Sequence, residues 1–286
     1  MIPAQFDYIA PSTLDEAVAL LSQHADDAKV LAGGHSLIPA MKLRLAQPQL
    51  LVDIGRIKGL SDIREEGGQI RIGAMTTHYQ LESSVRLRDI CPLLPETAGQ
   101  IGDVQVRNKG TIGGSLAHSD PAADWPAAVL ALDAELRAIS SKGERTIKAS
   151  DFFVDLFTTA LEPGEILSEI RIAVPKARTG QSYLKAAQPA SGFAVVGVAV
   201  SLVRDAAGKC ESASIGITGV ASKAYRATAV ESALAGASLD EKTIAAAAAH
   251  ATDGIDANGD LYASAQYRKH LASVYVRRAV TAASQK

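Results

Sequence analysis

With 286 residues, the chain is long for one compact core, so two or three packed units are expected. Apolar residues make up 47% and charged residues 21%, an ordinary globular profile, while aromatics reach only 5%, which disfavours an aromatic-lined groove. Lys plus Arg total 29 against 31 Asp plus Glu, and the formal charge of −2 argues against nucleic acid as a partner.

The start of the chain, Met1 to Asp7, lacks the basic and apolar stretches of an export signal, and no apolar run is long enough to span a membrane. A cytoplasmic chain is expected. Thr13 and Glu16 predict a capping box, followed by a helix with Leu14, Ala17, Val18 and Leu21 on one face. The run Val30-Leu31-Ala32 predicts a strand, Leu37 to about Leu45 a helix, and Leu50 to Ile54 a second strand. Together they form a βαβ pattern whose first turn is a tight glycine loop. A composition change near Gly55 predicts a second unit. It holds a strand over Gln69–Gly73, helices near His78–Ser84 and Leu93–Gly102, and a hairpin pairing Ala134–Ser140 with Arg145–Lys148. A strand over Leu167–Val174, closed by Pro175, ends that unit.

A linker is expected over Lys176–Gln181, then strands at Ala194–Val203 and Ala213–Gly219, then alanine-rich helices near 224–235, 239–253 and 262–283. In the last helix Tyr267, Leu271, Val274 and Tyr275 share a stripe that should pack the C-terminal core, while Arg268, Lys269, Arg277 and Arg278 read as a solvated face. Cys91 and Cys210 stand far apart. They suggest neither a disulfide framework nor a ligand set for an iron–sulfur cluster.

The candidate chemistry lies in two glycine loops. The first is Lys29-Val30-Leu31-Ala32-Gly33-Gly34-His35-Ser36-Leu37. Glycines let successive backbone N–H groups converge on an anion without Cβ obstruction, and a helix starting just beyond adds partial positive charge. The spacing is not G-x-G-x-x-G, so a Rossmann unit is disfavoured. The second loop runs from Gly110-Thr111-Ile112-Gly113-Gly114-Ser115 through His118 to Ala123-Asp124. Asp124 reads as either a helix N-cap or an acceptor for sugar hydroxyls. Two such loops from two units suit a dinucleotide diphosphate, and spacing alone does not say which dinucleotide. No nucleophile elbow or Ser-His-Asp arrangement is evident.

The loops Ala32-Gly33-Gly34-His35-Ser36-Leu37-Ile38-Pro39 and Thr111-Ile112-Gly113-Gly114-Ser115, with Glu165-Ile166-Leu167 and Tyr183-Leu184-Lys185, resemble the flavin-binding medium subunits of molybdenum hydroxylases. The likeness covers nearly the whole chain and is strongest to the carbon monoxide dehydrogenase branch of that family, which also includes the flavin domain of xanthine dehydrogenase. The resemblance implies an α+β chain with a two-lobed FAD-binding fold of the vanillyl-alcohol-oxidase type. The lobes would span 1–55 and 56–176, with a C-terminal unit of antiparallel strands and helices over 177–286. It implies non-covalent FAD, held by Lys29 through Leu37 and by Gly110, Thr111, Gly113, Gly114, Ser115 and His118. Ala123 and Asp124 would meet the ribityl and phosphate region, and Ile101, Leu167 and Lys185 would lie beside the flavin or adenine. Phe193 occupies the position of a tyrosine that neighbours the flavin in carbon monoxide dehydrogenase relatives, so the hydroxyl is missing here.

The resemblance further implies a small partner subunit with two [2Fe-2S] clusters and a large partner with the molybdenum cofactor, arranged as a dimer of heterotrimers. The electron acceptor would be a quinone, NAD or oxygen, and the complex would be cytoplasmic or held at the inner membrane face. His35 and His118 are open to flavin contact or a structural role; His24, His78, His250 and His270 read as surface or capping residues. Lys185 reads as a positive charge near the flavin or as an exposed strand lysine. The competing readings are a free-standing flavin oxidoreductase of the same fold, which needs its own acid–base residues, and an interaction protein without cofactor.

Overall fold

The computed structural model describes residues 1–24 and 27–286. Near the N-terminus, Asp7–Ile9, Leu50–Asp53 and Ala28–Leu31 form a parallel three-stranded sheet in that order. Helix Leu14–His24 buries Ala17, Val18 and Leu21 against it. Glu16 N donates to Thr13 Oγ1 at 3.2 Å, while the Glu16 carboxylate reaches back to Ser12 N at 2.8 Å, one residue beyond the expected box. The helix after the first glycine loop, Leu37–Lys42, is shorter than expected. The edge strand Asp7–Ile9 is exposed throughout and carries no alternation that would announce it.

The central sheet has five strands in the order Ile63–Glu66, Gln69–Gly73, Ile166–Ala173, Glu135–Ser140 and Gly143–Lys148. Each pair is antiparallel, and the expected hairpin sits at one edge. The core beside it gathers Leu81, Leu87, Leu93, Leu94 and Ile112 with helix Trp125–Ala131. Every residue of that helix is buried, because its sequence is apolar on all faces.

Four antiparallel strands follow: Thr179–Ala187, Ala194–Arg204, Cys210–Thr218 and Tyr225–Arg226. A strand already starts at Thr179, so the expected linker over 176–181 shrinks to 176–178. Helices Thr228–Leu234, Glu241–Ala248 and Ala265–Ser284 contribute to a core with this sheet. Helix Trp125–Ala131 lies against the sheet so closely that a Cβ on Gly216 would stand 2.0 Å from the Ala127 carbonyl oxygen. The central and C-terminal sheets thus share this helix. Two expectations for the last helix are corrected. Arg268 is buried, with its guanidinium on the Val195 and Gly219 carbonyls and Asp260, and Tyr267 is exposed, while Leu271 and Tyr275 do pack on the core. Among the described residues no helix is long and apolar enough to cross a membrane.

Candidate functional site

A cleft of about 870 Å³ runs between the first glycine loop and the central unit. That is the upper end of the size range for small-molecule sites. All the residues singled out from the sequence line it except Leu31 and Lys185. Leu31 is tied into the sheet, its carbonyl accepting from Ile54 N at 3.1 Å.

The first loop turns at Gly34, whose φ of +78° an L side chain resists. Gly33 has a different duty: a Cβ there would meet the Lys109 carbonyl oxygen at 2.2 Å and Gly110 Cα at 2.8 Å. Gly33 therefore permits a backbone clasp between the two loops. The amides of Ala32, Gly33, Gly34, His35, Ser36 and Leu37 have no hydrogen-bond partner among the described residues, and all six residues face the cleft. Successive unpartnered N–H groups on the wall of a cleft make an anion nest, because each is a donor free to meet a phosphate oxygen.

The second loop is not a matching nest. Its glycines lie in the first turn of helix Ile112–His118, capped by Thr111. Ile112 N donates to Thr76 O, Gly113 N to Ala74 O and Gly114 N to Thr111 Oγ1, at 3.0, 2.8 and 3.1 Å. Ser115 N donates to Thr111 O. These amides are spent inside the protein, so the segment offers a wall with the Ser115 and Thr111 side chains rather than a second amide cradle. Gly113 is needed because a Cβ would stand 2.4 Å from that of Ala74.

Asp124 does not cap its helix, since its side chain makes no capping hydrogen bond. It pairs with Lys185 Nζ at 3.0 Å, and Tyr183 OH donates to it. Lys185 Nζ also donates to Gln100 O at 2.5 Å and Gly192 O at 2.7 Å. The ammonium side chain is 1% exposed. Lys185 is thus neither an exposed strand lysine nor a free positive charge in the cleft. Burial pushes the Asp124 carboxyl up, and the Lys185 ammonium opposes that push. The pair ties the segment before Ile101 and the turn before Phe193 to the central helix.

Phe193 is half exposed at the rim, beside Ser191 and Gly192. His118 packs against Phe157 with ring centroids 5.1 Å apart and the planes tilted by 42°. Phe157, Leu161, Ala74, Met75 and His78 line the cleft without having been foreseen. Thr77 and Gln80 form a full capping box that the T-x-x-Q spacing signals, and it marks the helix that carries His78. The expectation of a surface or capping role for His78 is overturned: it is 4% exposed, and Trp125 Nε1 donates to its Nδ1 at 3.0 Å.

Burial pushes the His78 imidazole from its ordinary 6.5 down to about 4, with His35 and Arg107 adding to the shift. Between these values the unfolded chain binds a proton that the folded chain refuses, so stability falls as pH drops through the window. At about 1.4 kcal/mol per pH unit the loss approaches roughly 3 kcal/mol. Thermal unfolding of wild type and His78→Gln across the window measures it. The variant should lose less stability with acid, and equal slopes would contradict the assignment.

A family model described as the FAD binding domain in molybdopterin dehydrogenase matches residues 4–176, and one described as the CO dehydrogenase flavoprotein C-terminal domain matches 181–283. The chain belongs to this flavoprotein family. It is 43% identical over 284 residues to the carbon monoxide dehydrogenase medium chain of Afipia carboxidovorans, covering 98% of this chain and 97% of that one. It is 38% identical over 283 residues to the 6-hydroxypseudooxynicotine dehydrogenase complex subunit alpha of Paenarthrobacter nicotinovorans, covering 99% and 96%. A chain of the reconstituted CO dehydrogenase from Oligotropha carboxidovorans superposes with a TM-score of 0.96 at 43% identity, over 100% of this chain and 99% of that one. An FAD-binding domain followed by the expected C-terminal unit of antiparallel strands and helices is therefore shown.

Proposed function

We propose that the cleft holds FAD non-covalently and that the chain is the electron-outlet subunit of a molybdenum hydroxylase. The run of unpartnered amides from Ala32 to Leu37 carries the reading, because it supplies successive free donors for a diphosphate on the wall of a cleft of about 870 Å³. When bound, the flavin supplies the redox chemistry between one-electron clusters and an external acceptor. The protein binds, orients and shields. The missing side chain at Gly33 lets the first loop close on Lys109 and Gly110, which keeps its amides at the cleft wall. Ser36, Thr111 and Ser115 add hydroxyls along the walls, and Ile101, Ile166 and Leu167 form apolar surface that excludes water. Phe193 supplies a ring at the rim, where solvent and acceptor arrive.

Substrate oxidation belongs to a large partner subunit with the molybdenum cofactor, and electrons enter from a small subunit carrying [2Fe-2S] clusters. Family membership and the medium-chain relatives support this division. Relatives of similar identity are named for carbon monoxide and for 6-hydroxypseudooxynicotine, which fits a substrate chosen on another chain. A dimer of heterotrimers, with quinone, NAD or oxygen as acceptor, is the arrangement proposed. The test is to purify the chain in its complex and release the pigment by denaturation. About one FAD per chain is expected. A colourless complex that takes up no added FAD would overturn the reading.

A further inference from the structure

Trp125 Nε1 is a donor with no acceptor capacity, so its contact with His78 Nδ1 at 3.0 Å requires a lone pair on Nδ1. The imidazole proton therefore sits on Nε2. That N–H has no hydrogen-bond partner among the described residues, and it is not sealed, unlike the orphan Thr76 Oγ1. His78 lines the cleft, and so does Gly110, on which a Cβ would stand 2.7 Å from Nε2. Gly110 is also the residue that Gly33 abuts, so the open N–H stands beside the first loop, where six backbone amides wait unpaired.

We propose that His78 donates an uncharged hydrogen bond from Nε2 to the diphosphate of the bound dinucleotide. This rests on the FAD reading and assigns a binding residue to it. The ring is buried and clamped by Trp125, so the donor is already oriented and little rotamer freedom is lost on binding. Burial also keeps the ring neutral at ordinary pH. Because Nε2 carries the proton, His78 is neither a general base nor a metal ligand in this tautomer. Moving the proton to Nδ1 would set two N–H groups against each other at Trp125.

The experiment uses the complex stripped of flavin and measures affinity for FAD, ADP and riboflavin, the last lacking the diphosphate. His78→Leu removes the donor and should weaken FAD and ADP by between about tenfold and a hundredfold, leaving riboflavin unchanged. His78→Gln keeps an acceptor for Trp125 and a side-chain N–H, and should stay within about threefold of wild type. Recovery of each variant chain in the purified complex at wild-type stoichiometry, with an unchanged unfolding midpoint, verifies that it is folded. If the leucine variant does not fold, His78→Met replaces it; its thioether is a neutral, weak acceptor for Trp125 and offers no donor, and it should weaken FAD and ADP as much. Unchanged FAD and ADP affinity, or an equal loss for riboflavin, overturns the proposal. A wild-type complex that takes up no FAD overturns the functional reading instead, so the two failures are distinguishable.

Discussion

Lys185→Met is expected to lower the free energy of unfolding by about 3–5 kcal/mol, read by chemical denaturation. The ammonium has three protons and meets three acceptors: Asp124 and the carbonyls of Gln100 and Gly192. Methionine matches the length and removes all three bonds at once. The larger part of the cost comes from Asp124, which is left sealed with Tyr183 as its one remaining side-chain donor. Adding Asp124→Asn removes that stranded charge and should restore at least about half of the loss. The two carbonyls precede Ile101 and Phe193, so the single variant should also weaken FAD retention, although Lys185 itself lies outside the cleft wall. A loss below about 1 kcal/mol would mean that the site behaves as an exposed pair does.

The βαβ start, the central hairpin and the three late helices are legible because each obeys a local period or a turn signal. The first glycine loop is legible for the same reason: an apolar strand, a glycine pair and a helix start follow one another within Val30 to Leu37. Where the sequence misleads, the deciding contact is distant. Gly113 and Gly114 weaken a helix by propensity and read as a loop, but Thr111 caps a helix there, and Ala74 leaves no room for a larger residue at Gly113. Lys185 sits in a strand like any outward polar residue, and only the fold brings Asp124 beneath it. His78 follows a readable capping box, yet its burial depends on Trp125, on another helix. The edge strand Asp7–Ile9 exists because Leu50–Asp53 offers an unpaired side, not because its own residues alternate.

The clasp between the loops gives the sharpest test of the cofactor site. Gly33→Ala should leave the purified complex with almost no FAD, whereas Gly34→Ala should keep affinity within about tenfold of wild type. A Cβ on Gly33 meets only backbone, with the Lys109 carbonyl oxygen at 2.2 Å, its carbon at 2.9 Å and Gly110 Cα at 2.8 Å. No rotamer change relieves that overlap. The loops must part by about 1 Å to reach ordinary contact at 3.4 Å, and the amides of Ala32 to Leu37 move with them. At Gly34 the penalty is local: φ of +78° costs an L residue about 1–2 kcal/mol. Its Cβ would meet the Ile38 and Leu31 side chains at 3.2 and 3.6 Å, and both can give way. The two variants should therefore lose similar stability, since overpacking costs about 1–3 kcal/mol, and differ widely in bound flavin. Flavin content and thermal unfolding measured on the same preparations separate the two effects. If Gly33→Ala keeps its FAD, the nest does not depend on the clasp and the diphosphate is held elsewhere.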